Sequence, residues 1–131
     1  MKNVTISVEV DPVSHVAVVR CPGPLMRADA TEAAERLWST EGWDGDSAVW
    51  DFREAQFKLS ASDVQFVARF ILRNQPATPP SRMAFVTPGD ANFGLARMFA
   101  VYREQPKTDF RVFRELPDAI SWAGAPGVDA T

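Results

Sequence analysis

The sequence predicts a single-domain α/β protein: one mixed sheet, mostly parallel, with an antiparallel hairpin at its N-terminus and about four flanking helices. Three observations predict it. Val4, Ile6, Val8 and Val10 alternate with polar neighbours, the period-two pattern of a half-buried strand. The short runs Ala48-Val49-Trp50-Asp51-Phe52 and Met83-Ala84-Phe85-Val86 have the length and apolarity of strands buried on both faces. Stretches with helical apolar spacing separate these runs, and right-handed crossovers between such units generate a parallel sheet with helices covering it.

The opening hairpin is expected from strands over Asn3 to Val10 and His15 to Arg20, joined by the turn formers Asp11-Pro12. Cys21-Pro22-Gly23-Pro24 ends the second strand. A helix is expected from about Asp29 to Trp38, where Ala30, Ala33, Ala34, Leu37 and Trp38 share a face opposite Glu32, Glu35 and Arg36. Gly42 and Gly45 enclose the next turn. The strand Ala48 to Phe52 follows, and its carboxyl end delivers Asp51 and Arg53 to one edge of the sheet, where functional groups of such folds often sit.

Ser62 and Gln65 fit a capping box for the next helix, with Ser60 and Asp63 as a poorer alternative frame. That helix runs to about Asn74 and is stopped by Pro76, Pro79 and Pro80. The strand Arg82 to Val86 is broken by Pro88-Gly89, and Asp90 offers an N-cap oxygen to a helix carrying Ala91, Leu95, Met98, Phe99 and Tyr102 on one face. A last strand, Asp109 to Phe113, precedes a short helix from about Pro117 to Trp122. Residues 1–123 are expected to form the domain and residues 124–131 a flexible tail.

Composition narrows the function classes. The 131 residues suffice for one buried core, and 46% hydrophobic with 24% charged residues is ordinary for soluble globular proteins. Lys and Arg number 14 against 17 Asp and Glu, a net charge of -3 that argues against nucleic acid as a partner. Cys21 is the only cysteine, which excludes an intramolecular disulfide and suits a reducing cytoplasm. No apolar run reaches the roughly 20 residues of a membrane helix, since Arg69 interrupts the nearest candidate. His15 is the sole histidine and reads as a surface or turn residue. Asp44 and Asp46 flank Gly45 without the rest of a calcium loop, so no metal and no cofactor is expected. Cys21 beside Pro22 reads as a buried strand-end residue, and no G-x-S-x-G element is present, so no catalytic residue is assigned.

The element order, with FVTPGDANFGLARMF followed by FRVFRELPDAISW, resembles the SpoIIAA-like branch of the STAS and SEC14-like superfamily. The resemblance spans nearly the whole chain and is closest in the last third, through Phe93-Gly94 at a helix start, Phe113 ending a strand and Trp122 ending a helix. It implies a small mixed sheet flanked by helices, acting as a protein-interaction or ligand-sensing module and not as an enzyme. In the phosphorylatable antagonists of anti-sigma factors that it resembles, a hydroxyl residue stands two positions after an aspartate at the end of the central strand. Here Asp51 is followed two positions on by Arg53, so a phosphate switch of that kind is not expected at that position.

Two groups of residues remain as candidate sites. The helix Ser62 to Asn74 carries Phe66, Val67, Phe70 and Ile71 on one stripe, widened by Val64, Ala68 and Leu72, more apolar surface than one sheet face readily covers. The surplus fits a deeply buried helix, a protein or homodimer partner, or a pocket for a small apolar or lipid-like ligand between helix and sheet. Partner contact is assigned to Asp51, Arg53, Phe57, Phe66, Arg69 and Phe70, with the arginines as a charged rim. The second group, Thr87, Gly89, Asp90, Asn92, Phe93 and Arg97, surrounds a strand-to-helix turn whose backbone N–H groups suit an anion or ligand, although Asp90 as a simple helix cap is the stronger reading.

Overall fold

A computed structural model of the chain describes residues 6–43, 46–75, 81–87 and 108–125. The hairpin pairs β1 (Ser7–Val10) with β2 (Ala17–Arg20), antiparallel, Val8 opposite Val19. Its turn is closed by Asp11, whose carboxylate accepts hydrogen bonds from the backbone N–H and the hydroxyl of Ser14, both at 2.7 Å. His15 lies exposed on this turn with φ 65°, a left-handed conformation that histidine adopts more readily than bulky or β-branched residues do.

From β2 the sheet grows by parallel addition. β4 (Ser47–Asp51) pairs with β2, β6 (Arg82–Val86) with β4, and β7 (Asp109–Phe113) with β6, giving the order β1-β2-β4-β6-β7. Every residue of β4 is buried, as expected of a central strand. The two faces are covered separately. Val19, Trp50, Phe85 and Phe110 pack under α1 (Arg27–Trp38) and α2 (Ala61–Asn74), while Val18, Val49, Ala84 and Val86 pack under α3 (Leu116–Ala123). The result is the mixed, mostly parallel α/β architecture with an antiparallel N-terminal pair that the sequence predicts. Three helices lie among the described residues; the expected helix through Ala91 and Tyr102 lies outside them.

Several local readings are corrected. The segment after β2 does not simply end it: β3 (Gly23–Leu25) pairs in parallel with β5 (Ala55–Phe57) as a separate two-stranded sheet. Gly23 has φ 83°, and its N–H donates to the carbonyl of Glu54 at 2.8 Å, so the turn that glycine permits begins the second pairing. Helix α1 starts two residues before the expected Asp29, because Asp29 occupies its third position and accepts from the N–H of Met26 at 2.9 Å.

At α2 the capping frame is Ser60 with Asp63 and not Ser62 with Gln65. The Ser60 hydroxyl accepts from Asp63 N–H at 3.1 Å and the Asp63 carboxylate accepts from Ser60 N–H at 3.0 Å. The inward face of α2 is also narrower than the apolar stripe. Val64, Val67, Ala68 and Ile71 are buried, Phe70 is half-buried, and Phe66 remains 47% and Leu72 38% exposed.

The end of α3 locks onto the start of the sheet. A Cβ at Gly124 would lie 2.7 Å from Cβ of Ser14, so only glycine lets the chain pass the hairpin turn at this distance. Arg82 Nη1 donates to the carbonyls of Trp122 and Ala125 at 2.6 and 3.1 Å while its guanidinium lies 5.4 Å from the Trp122 ring centroid. Gly124 and Ala125 thus carry defined contacts; the remainder of the expected tail lies outside the described residues.

Candidate functional site

At the carboxyl end of β4 the alternation of the strand turns Trp50 and Phe52 toward α1 and α2, and Asp51 toward the opposite face. Asp51 is 6% exposed. Its Oδ1 accepts from the backbone N–H and Nε of Arg53 at 3.1 and 2.9 Å, and Oδ2 accepts from Nη2 of Arg53 at 2.9 Å. Arg20, opposite Asp51 in the register, adds a second guanidinium 4.0 Å from Oδ2. Burial alone would raise the Asp51 carboxyl; the hydrogen bonds from Arg53 and the charges of Arg53 and Arg20 outweigh it and hold the group below the usual carboxylate range. The same bond to Asp51 raises Arg53 above its ordinary value, with Glu54 and Glu115 contributing.

These side chains border a cleft of about 120 Å³ together with Ser7, Cys21 and Pro22. Cys21 at its base is buried, and its thiol is pushed up to about 12, first by desolvation and then by the charges of Asp51 and Asp29. At neutral pH a thiol in that state is almost entirely protonated and therefore a poor nucleophile. No group of three or more metal-ligating side chains occurs among the described residues.

The second place is a groove along the outer face of α2, about 430 Å³ in volume, to which α1 contributes its first residue, Arg27. Phe66 and Phe70 line it, with Ser62, Gln65 and Asn74, all from α2. Arg27 from α1 and Arg69 and Arg73 from α2 form its rim. Phe70 stacks on Trp38 at the α1 end, ring centroids 6.0 Å apart, which holds the two helices in step. Arg27 lies 4.5 Å over the Phe66 ring and 3.7 Å from the Asp63 carboxylate. Arg69 and Arg73 are exposed, one helical turn apart, and meet no carboxylate among the described residues.

The residues assigned to partner contact therefore fall into separate places. Phe66, Arg69 and Phe70 share the groove, whereas Asp51 and Arg53 sit at the strand edge on the α3 side. Phe57, in β5, is half-buried and sets its ring edge against Phe52 with centroids 5.1 Å apart. Of the second group, Thr87 is buried and its N–H donates to the carbonyl of Phe113 at 3.0 Å, so that donor is not free for an anion. Gly89, Asp90, Asn92, Phe93 and Arg97 lie outside the described residues. Sequence reasoning missed Arg20, Arg27 and Arg73. Arg73 was legible as the next turn after Arg69, while Arg27 joins the groove only because α1 starts earlier than its apolar spacing indicates.

This α/β fold, with its antiparallel pair, parallel core and helices on both faces, is the SpoIIAA-like fold. Two solved structures carry the likeness over almost their full length. One is an uncharacterised protein of the DUF3478 family with a SpoIIAA-like fold from Shewanella loihica PV-4, 19% identical, covering 92% of this chain and 93% of that one with a TM-score of 0.60. The other is an anti-sigma factor antagonist from Mycobacterium paratuberculosis, 16% identical, covering 94% and 96% with a TM-score of 0.61. No protein-family model and no curated protein sequence matches the chain. Among the described residues no helix is long and apolar enough to cross a membrane.

Proposed function

We propose that the protein is a non-catalytic regulatory module of the cytoplasm that acts by binding another protein through the outer face of α2. The observation that carries this reading is Phe66, a phenylalanine 47% exposed and lining a groove, next to the half-buried Phe70. Large apolar side chains left open beside a polar rim are a common mark of association surfaces. The likeness in fold to an anti-sigma factor antagonist supports regulation by protein contact. The inert state of Cys21 and the exposed turn position of His15 argue against nucleophilic chemistry by the usual routes.

Regulation by phosphate two residues after Asp51 is no part of this reading, because Arg53 stands there and is already bound to Asp51. A homodimer paired through this groove about a two-fold axis would set Arg69 and Arg73 against their own copies, which favours a different protein as partner. The carrier reading is weaker for the same helix: Phe66 and Phe70 line an outer groove and not a space between α2 and the sheet, where Val64, Val67 and Ile71 fill the interface.

The test compares wild-type protein with Phe66→Asp, both folded by circular dichroism, in affinity capture from an extract of the native host. A protein retained by the wild type and lost from the variant supports the reading, and equal retention overturns it. Light scattering on the pure protein is expected to give a monomer, and native mass spectrometry a mass without a retained small molecule. A retained apolar ligand would instead favour the carrier.

A further inference from the structure

We infer that the groove along the outer face of α2 takes an acidic amphipathic segment of a partner protein, docked as a short helix with one apolar side chain on Phe66 and Phe70 and its carboxylates on Arg69 and Arg73. This rests on the protein-binding reading and specifies its occupant. Charge is the first argument. The whole chain carries a net charge of -3, yet three of the side chains lining this groove are arginines and, among the described residues, none is acidic. A cationic rim on an anionic protein selects a partner by complementarity, and it repels other copies of the same patch.

Geometry supplies the second argument. Arg69 and Arg73 are separated by one turn of α2, a rise of about 6 Å, which matches carboxylates placed one turn apart on a second helix. Among the described residues neither guanidinium meets a carboxylate, in contrast to Arg53, whose Nε and Nη2 are held by Asp51. Arg27 differs from them again. Its stacking on Phe66 and its contact with Asp63 engage it within the protein, which leaves Arg69 and Arg73 as the cations offered to a partner. Phe66 and Phe70 lie on one stripe of α2 and line the groove together, an aromatic surface suited to a side chain from an apolar helix face. An anionic membrane surface would be expected to meet a flat or convex basic face, and the overall negative charge of the chain opposes both membrane and nucleic acid.

The test is a selection of random peptides of about 16 residues displayed on phage against the wild-type protein, with Phe66→Asp as the counter-selecting protein. The expected peptides carry an apolar anchor and two or more carboxylates at helical spacing. Synthetic copies are expected to bind the Arg69→Glu/Arg73→Glu variant at least roughly tenfold more weakly and to weaken with added salt. Replacing their carboxylates by lysines is expected to restore binding to that variant. Both arginines are exposed, so the doubly reversed protein is expected to retain its fold, checked by circular dichroism.

Selected peptides that are neutral or basic, or that ignore the arginine reversal, overturn the acidic occupant while leaving protein binding through Phe66 intact. Failure of any peptide to distinguish wild type from Phe66→Asp overturns both. Sedimentation with phosphatidylserine vesicles that is lost in the arginine variant, without peptide binding, assigns the groove to a lipid surface and overturns the inference as well.

Discussion

Arg53 holds both carboxylate oxygens of Asp51 from two residues along the same chain, closing a compact ring at the end of the central strand. The carboxylate is buried and the guanidinium is 40% exposed, so the pair is anchored on one side and wet on the other. Removing the Arg53 side chain leaves Asp51 buried with the backbone N–H of residue 53 and the more distant guanidinium of Arg20 for compensation. Arg53→Ala is therefore expected to lower stability by about 1–2 kcal/mol, reduced from a fully buried charged bond because water reaches the guanidinium. Adding Asp51→Asn to that variant recovers part of the loss, which urea melts of the two singles and the double would measure.

Asp51 also makes stability depend on pH. Its native carboxyl is held below the unfolded value of about 3.9, so protons bind the unfolded chain first as the solution is acidified. The contribution is complete above the unfolded value and disappears as pH falls through the native one. Asp51→Asn is expected to flatten the decline in melting temperature over that acid window without changing its slope above pH 6. An unchanged acid decline in the variant would assign the effect to other carboxylates.

Cys21 is predicted to be inert in the native state. With its thiol pushed up to about 12 and its side chain buried, a disulfide reagent at pH 8 meets almost no thiolate and no open approach. Labelling is expected to be complete in denaturant and negligible without it, the native rate following the opening of the fold. Rapid native labelling would show that the cleft beside Asp51 opens locally.

The two serines at the start of α2 are predicted to differ. Ser60 caps the helix through Asp63 N–H, so Ser60→Ala is expected to cost about 1 kcal/mol. Ser62 lies in the first turn, exposed, and among the described residues its hydroxyl is hydrogen-bonded to that of Ser60, so Ser62→Ala is expected to cost less than about 0.5 kcal/mol. Thermal denaturation of the two variants decides between the overlapping frames.

Neighbouring positions on α2 are predicted to divide sharply. Phe66→Asp replaces a half-open ring and is expected to change stability by about 1 kcal/mol or less. Val67→Asp places a carboxylate in the core under the helix and is expected to unfold the domain. Circular dichroism distinguishes the outcomes, and a folded Val67→Asp would mean that α2 is rotated from the orientation described.

The strands of the main sheet were legible because each is either a period-two alternation or a continuous apolar run bounded by turn formers. β3 and β5 were not, since three residues are too few for a period, and Gly23-Pro24 reads as a turn until Glu54 appears beside it. The choice between Ser60 and Ser62 was ambiguous because both frames place an acceptor three residues on, and only the rotation of α2 decides. That rotation also determined the groove. The apolar stripe was visible in the sequence, but which part faced the sheet depended on α1, whose Trp38 engages Phe70 and leaves Phe66 outside. The edge pair was half legible: Asp51 and Arg53 were expected at the end of the strand, while their direct bond and the approach of Arg20 come from register and burial.

The close passage of Gly124 by Ser14 has a consequence for how the protein is made. The face formed by Val16, Val18, Val49, Ala84 and Val86 packs against α3, the last helix described, so its strands are synthesised before the helix that covers them. Among the described elements, closing that face therefore waits for the last one made, and folding of this side of the sheet is expected to finish only after α3 is synthesised.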